Sequence, residues 1–426
     1  MIKKKRQLDL ESDKNDATNP KIFRQHAIGV LTGTITAQAI PLIGTLLIAR
    51  LYQPAHFGNF AAWLGIVMIL AVLITGRFEA SLAVVDDGAD RATAFFATLA
   101  TTTLLGFIAA SIATVAIVYS GDGFGMSIVM SSLIVPAAYT YALSQSWESL
   151  AAANGSYRWL SIIRIIQASI ILVLQLIGGF IAPSSEGLAL AFAIGIGTNL
   201  LISFKAFPVF VPKIGSRWLS IIQFWKKHRR FPTIALPADT LSILSSQLPI
   251  FIIGSRFGSE YAGYWAMTNR LLGAPVTLLG RSVLDVFKRY ASVHYREHGQ
   301  FRNQYLDALR LLAPSSIIFL ITVLLFGKFF FDILLGPKWA MAAQIAIWVL
   351  PVFALRFIAS PLSYTFYIVG KQHLDLLWQA ALCICVILTF NLSKDLKTSI
   401  IFYSFSYSLL YTYYLYLSYR CSHGKS

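Results

Sequence analysis

The sequence predicts an all-α polytopic membrane protein of twelve transmembrane helices, set out as two parallel six-helix repeats with both termini cytoplasmic. Three observations carry this. Twelve long apolar stretches alternate with short polar gaps, the basic residues gather in every second gap, and features of the first stretch recur in the seventh. The stretches run over 27–48, 58–85, 94–118, 126–150, 161–182, 186–204, 232–253, 262–284, 307–326, 340–369, 373–390 and 398–419. Most approach the ~20 residues that cross ~30 Å of hydrocarbon as a helix. Helix is the form required, because lipid offers the backbone no other hydrogen-bond partner.

Taken in order, the N-terminal segment and the even-numbered gaps hold 26 of the 35 Lys and Arg residues, from Lys3 through the loop Lys205 to Arg230 and on to Lys425. The odd gaps hold six: Arg50, Arg256, Lys328, Lys338, Lys394 and Lys397. Positive loops stay on the cytoplasmic side, so both ends of the chain are expected there. The net charge of +16 thus sits beside anionic headgroups and fixes orientation; it gives no ground for a nucleic-acid partner. With 56% hydrophobic and 13% charged residues, an ordinary soluble domain is excluded.

The division that follows is a cytoplasmic tail (1–26), an N-terminal six-helix lobe (27–204), a basic linker (205–231), a C-terminal six-helix lobe (232–419) and a short cytoplasmic tail (420–426). The first nineteen residues mix Lys3 to Arg6 with Asp9, Glu11, Asp13 and Asp16 and contain no apolar run, which reads as a disordered tail and not a cleaved signal peptide. In the linker, Trp218, Ile221, Ile222 and Trp225 precede Lys226, Lys227, Arg229 and Arg230. An amphipathic segment lying on the inner membrane face is expected. Cys383, Cys385 and Cys421 suggest neither a disulfide framework nor a metal site.

The repeat rests on order and spacing. Gln38-Ala-Ile-Pro41, Arg50-Leu51 and Phe57-Gly58-Asn-Phe60 are echoed by Gln247-Leu-Pro249, Arg256-Phe257 and Ala262-Gly263-Tyr-Trp265. Both copies belong to helices that start in the cytoplasm, so the halves are parallel and related by an axis along the membrane normal, as in many transporters.

Several local patterns are weaker than they look. His294-Tyr-Arg-Glu297-His298 fits the inverted zinc-protease pattern, yet it follows a membrane helix among Lys288, Arg289, Arg296 and Arg302 and lacks a third ligand. Gly424-Lys425-Ser426 ends like a phosphate loop, but Tyr419 stands where the first glycine is needed. Gly29 and Gly33 permit close helix approach, and Tyr403, Tyr407, Tyr411 and Tyr414 line one helix face in a packing role.

The embedded charges carry the functional reading, because an ionisable residue in hydrocarbon costs a few kcal/mol and normally faces a cavity or a partner. Arg356 lies between Pro351 and Pro361, about 24 Å along the tenth stretch at a ~1.5 Å rise. Arg77 and Glu79 fall within the second stretch, ahead of apolar Ala80 to Val85; on a continuous helix, two residues apart, they point to different sides. Arg270 enters the eighth stretch before Pro275, and Asp239 lies in the inner half of the seventh. Arg164 and Glu148, near cytoplasmic ends, are expected to snorkel. Arg77, Arg270 and Arg356 imply a positively charged cavity suited to an anion such as phosphate, with Glu79 and Asp239 as coupling or charge-balancing groups.

Gly33-Thr-Ile-Thr-Ala-Gln38-Ala-Ile-Pro41, Arg50-Leu-Tyr-Gln-Pro54-Ala-His-Phe57-Gly58, Arg77-Phe-Glu79, Gly263-Tyr-Trp-Ala-Met-Thr-Asn-Arg270-Leu-Leu-Gly-Ala-Pro275 and Gly336-Pro-Lys-Trp339 with Ala342 and Pro351 resemble, in this order, the Wzx-type polysaccharide flippases. That family lies in the MOP superfamily, with the multidrug-extrusion (MATE) transporters and lipid II flippases. The resemblance implies a transporter of the bacterial inner membrane that moves undecaprenyl-pyrophosphate-linked oligosaccharides outward without a cofactor. Its implied partners are that substrate, membrane lipids and the polysaccharide polymerase machinery. A MATE-like multidrug antiporter and a membrane polymerase or glycosyltransferase are the alternatives. The first would need embedded carboxylates to outnumber arginines, and the second a sizeable outer loop or an acidic catalytic motif.

Overall fold

A computed structural model describes residue 40 and residues 42–85, 88–120, 126–207 and 217–424. Gly29, Gly33, the N-terminal tail and Lys425-Ser426 lie outside the described residues. Within them the chain is helical throughout, with no strand. The helices are α1 (Leu42–Leu51), α2 (Pro54–Thr75), α3 (Ala89–Ser120), α4 (Ile128–Ala153), α5 (Tyr157–Ile181), α6 (Ser185–Ala206), α7 (Arg217–Lys227), α8 (Leu236–Phe257), α9 (Ser259–His298), α10 (Arg302–Leu335), α11 (Ala340–Leu362), α12 (Gln372–Leu392) and α13 (Leu396–Ser422). Each apolar stretch overlaps one of these helices. Eight helical segments among the described residues are long and apolar enough to cross a membrane by themselves. Ile317, Leu325, Phe326 and Phe329 on α10 are more than half exposed, a surface that suits lipid and not water. The chain is a multi-pass membrane protein.

Local chemistry sets the helix ends. Pro54 opens α2 at a first-turn position, where a missing N–H costs nothing. Ser127 caps α4 by accepting from Met130 N, and the Asp395 carboxylate accepts from Thr398 N at 2.8 Å to start α13. At the far end of α2, Gly76 adopts a left-handed conformation (φ 59°) and closes the helix.

The second stretch is therefore not one helix. Gly76 is followed by Arg77, also left-handed (φ 61°) and the one non-glycine residue with positive φ among those described. A short 3-10 segment, Phe78–Ala83, then changes direction. The tenth stretch also divides: α11 ends at Leu362 and a separate turn, Thr365–Ile368, follows. The eighth and ninth extend well past the apolar runs, α9 to 40 residues and α10 to 34.

In lipid no hydrophobic force pulls helices together, so close packing of small side chains decides which faces meet. The axis of the C-terminal group is α11, where Ala342, Ala343, Ala346, Ala354 and Ala359 are buried. Thr268 of α9 donates to Ala342 O at 2.9 Å, and Ser316 of α10 donates to Ala354 O at 2.6 Å. On α13 the four tyrosines are buried, with Tyr414 OH donating to Asp375 Oδ1 at 2.6 Å.

The two groups of helices meet mainly along α2, which packs on α8 and α9. Their closest approach joins the two copies of the repeated motif. A Cβ built on Gly58 would lie 1.7 Å from Ser259 O, and one built on Gly263 would lie 1.8 Å from Pro54 O. Each glycine thus faces the carbonyl four residues ahead of the other. Beside them Trp339 Nε1 donates to Ala49 O and Lys338 Nζ to Arg50 O, each at 2.8 Å, while Arg50 Nε donates to Leu334 O at 3.3 Å.

Between the groups, α7 has its apolar side occupied by protein. Ile221 and Phe224 are buried with Phe78, Phe95 and Trp147, and Trp225 Nε1 donates to Thr101 Oγ1 of α3 at 2.9 Å. α3 and the 3-10 segment thus present an aromatic surface to this side of the helix.

Candidate functional site

Arg270 and Arg356 come together. Both project into a cavity of about 450 Å³ that is also lined by Leu42 of α1, Ser246 and Gln247 of α8, and Asn269 and Thr277 of α9. Both arginines are exposed to its space. Among the described residues its lining contains no carboxylate, so the surface they offer a ligand is net positive. Pro351 lies one and a half turns before Arg356 within α11, where it removes a backbone hydrogen bond.

Arg77 is elsewhere. Its Nη1 donates to Glu79 Oε1 at 2.8 Å and its Nε to Asp239 Oδ2 at 2.5 Å. The predicted separation of Arg77 and Glu79 fails because α2 has already ended; the left-handed Arg77 and the tighter turn after it swing both side chains to one place. Asp239 opens α8, so this triad ties the end of α2 to the C-terminal group. Glu79 is 3% exposed and its Oε2 is buried without a hydrogen-bond partner. Its charge therefore depends on Arg77.

By the ~1.5 Å rise, Gly58 lies about 26 Å along α2 from its end at Thr75, just before the Arg77 triad.

Sequence reasoning missed one polar cluster. Arg164 donates from Nε and Nη2 to Glu148 Oε2 at 3.0 and 2.7 Å, and Asn199 Nδ2 donates to Glu148 Oε1 at 3.1 Å and Gln167 Oε1 at 2.6 Å. Arg164 does not simply snorkel, since it lines an internal space that Arg270 also borders. The available signal was Arg164, Gln167 and Gln175 falling on one face of an otherwise apolar α5. A separate cleft between α3 and α4, lined by Phe107, Pro136 and Tyr139, has no charged residue in its lining and nothing to hold a phosphate.

The family model described as "Polysaccharide biosynthesis protein" matches residues 47–344. A comparison with curated proteins by sequence gives no match. Among solved structures, the lipid II flippase MurJ in an inward closed conformation aligns with a TM-score of 0.76 at 13% identity, covering 92% of this chain and 87% of that one. An inward-facing multidrug resistance MATE family transporter of the MOP superfamily aligns at 0.67 and 14% identity, covering 90% and 94%. The MATE multidrug transporter DinF-BH, solved in complex with R6G, aligns at 0.66 and 14% identity, covering 95% and 96%. The chain therefore belongs to the polysaccharide biosynthesis protein family and carries the fold of the MOP superfamily's transporters and flippases.

Proposed function

We propose that this protein translocates undecaprenyl-pyrophosphate-linked oligosaccharide units, precursors of O-antigen, capsule or exopolysaccharide, from the cytoplasmic to the outer leaflet of the bacterial inner membrane. The observation that carries the reading is the cavity lined by Arg270 and Arg356 and, among the described residues, by no carboxylate. A guanidinium offers two parallel N–H donors to phosphate oxygens. A diphosphate carries negative charge complementary to two arginines that line one space. The prenyl tail stays in the bilayer.

Twelve spans in two parallel repeats, with both termini cytoplasmic, fit this use. The reciprocal Gly58 and Gly263 contact supports the repeat, since corresponding residues meet as they would across a two-fold axis. In the cycle, the Arg77, Glu79 and Asp239 triad parts to admit substrate from the cytoplasm and the Gly58 contact parts to release it outside, each conformation being selected by the contacts it makes. Arg77 holds this cytoplasmic latch when it is closed and is available to phosphate when it is open. The multidrug-antiporter reading, which the fold allows, is disfavoured because Glu79 and Asp239 are engaged by Arg77 and neither lines the cavity.

Arg356→Ala tests the reading. Surface glycan is expected to be lost while folded protein stays in the membrane, and Arg356→Lys is expected to restore part of it, since a point charge attracts phosphate without the two-pronged geometry. Normal glycan with Arg356→Ala at wild-type protein level removes the residue from transport.

A further inference from the structure

Arg270 borders a second space, of about 420 Å³, whose other walls come from the N-terminal helices: Gly44 of α1, Phe60 of α2, Gln167 and Gln175 of α5 and Phe192 of α6. Arg164 and Gln167 also line an adjoining polar pocket of about 350 Å³ that adds Tyr141, Gln145, Glu148 and Asn199. The chemistry differs from that around Arg356. Here the cation Arg164 is matched by Glu148 at 2.7 Å. Apart from Arg270, the other polar groups are amides and hydroxyls, each able to donate and accept. Gln145 Oε1 is buried with no hydrogen-bond partner, an acceptor awaiting a donor. Phe192 packs edge-on to Trp63 and Phe60, with centroids at 6.0 and 6.1 Å. An aromatic face of this kind attracts polarised C–H edges.

With Arg270 taken by the phosphates, the charges of Arg164 and Glu148 cancel, and amides beside an aromatic face suit a neutral polyol held against those phosphates. We propose that this N-terminal compartment is the glycan subsite, which takes neutral hydroxyl- and acetamido-bearing sugars and disfavours acidic ones. The proposal rests on the diphosphate-linked substrate inferred above. A sugar carboxylate here would meet Glu148 while Arg164 is already paired, and a charge without a partner is costly to bury.

The full chain in lipid nanodiscs is tested with three probes: a prenyl diphosphate without sugar, the same diphosphate bearing a neutral N-acetylated disaccharide, and one bearing a uronic-acid disaccharide. The neutral glycan is expected to tighten binding about tenfold over the sugar-free probe, and the uronic acid to add nothing. Gln167→Leu should erase the gain while leaving the sugar-free probe unchanged, which also certifies the fold, and Phe192→Leu should reduce it in the same direction. A gain that survives Gln167→Leu, or an acidic glycan that binds as tightly as the neutral one, overturns the subsite. Equal weakening of the sugar-free probe by Gln167→Leu overturns it as well. Separate failures are distinguishable. If the diphosphates bind but the neutral glycan adds nothing, the subsite fails and the function stands. If no diphosphate binds but the free neutral disaccharide does, sensitive to Gln167→Leu, the function fails and the subsite stands.

Discussion

Replacing Gly58 by Ala should drive the two groups of helices apart at the end where their repeated motifs meet. The added Cβ would lie 1.7 Å from Ser259 O and 2.8 Å from Gly263 N. Both obstacles are backbone, so no side chain can rotate out of the way. A carbon and a carbonyl oxygen come no closer than about 3.3 Å in favourable contacts, so the helices must part locally by roughly 1.6 Å. Overpacking of this kind costs about 1–3 kcal/mol, which multiplies the ratio of open to closed protein by about 5 to 150. Spin labels on Gln53→Cys and Asp332→Cys, with the three native cysteines replaced by Ser, would read the distance between the groups by pulsed electron resonance, and Gly58→Ala should add a long-distance population. Gly263→Ala should do the same. The double variant should show less than the sum, because helices already parted leave room for the second methyl. An unchanged distance distribution for Gly58→Ala, with folded protein at wild-type level, would refute the argument.

Removing Arg77 strands the buried Glu79 charge, so Arg77→Ala should destabilise the protein by about 3–5 kcal/mol; Asp239→Asn should cost less, since the Asp239 side chain is 39% exposed, and thermal unfolding in detergent would rank the two. Replacing His294, Glu297 and His298 together by Ala should leave surface glycan and metal content unaltered, because His294 Nδ1 already lies 2.7 Å from Gln300 O and its ring stacks on His298; loss of bound zinc together with glycan would revive a metal site. Reporter fusions after residues 122 and 186 should report the outer side, and those at 220 and the C-terminus the inner side; a C-terminus found outside would overturn the twelve-span arrangement.

The helices and most of their limits are legible in the sequence because lipid leaves few choices: a long apolar run must be helical, and its register with the next is a matter of length. The break after Thr75 is not legible. Hydropathy continues through Ala80 to Val85, while the left-handed Arg77 is bonded locally to Thr75 and Glu79 and also to a carboxylate 162 residues away, on Asp239, a partner no local pattern reveals. Arg270 and Arg356 were readable as embedded charges because burial cost is a local property of a helix. Their convergence on one cavity depends on how α9 packs against α11, which periodicity does not encode. The Arg164 and Glu148 pair was discounted for the complementary reason: each residue lies near a helix end, where snorkelling explains a lone charge, and only the packing of α4, α5 and α6 makes them neighbours. Gly58 and Gly263 stood out as a repeat, but that each occupies the space against the other's helix is a property of the assembled pair.

The reach of Trp339 and Lys338 to the last carbonyls of α1 makes separation of the two helix groups a question of hydration. The final turn of any helix has carbonyls with no partner of its own, and here two of them, on Ala49 and Arg50, are satisfied from the opposite group. When that end opens, both must find water or α1 must unwind its last turn. Opening is thereby coupled to wetting: so long as this end stays dry the carbonyls hold the two groups together, and the first water molecules to reach them take over the bonds that kept it shut.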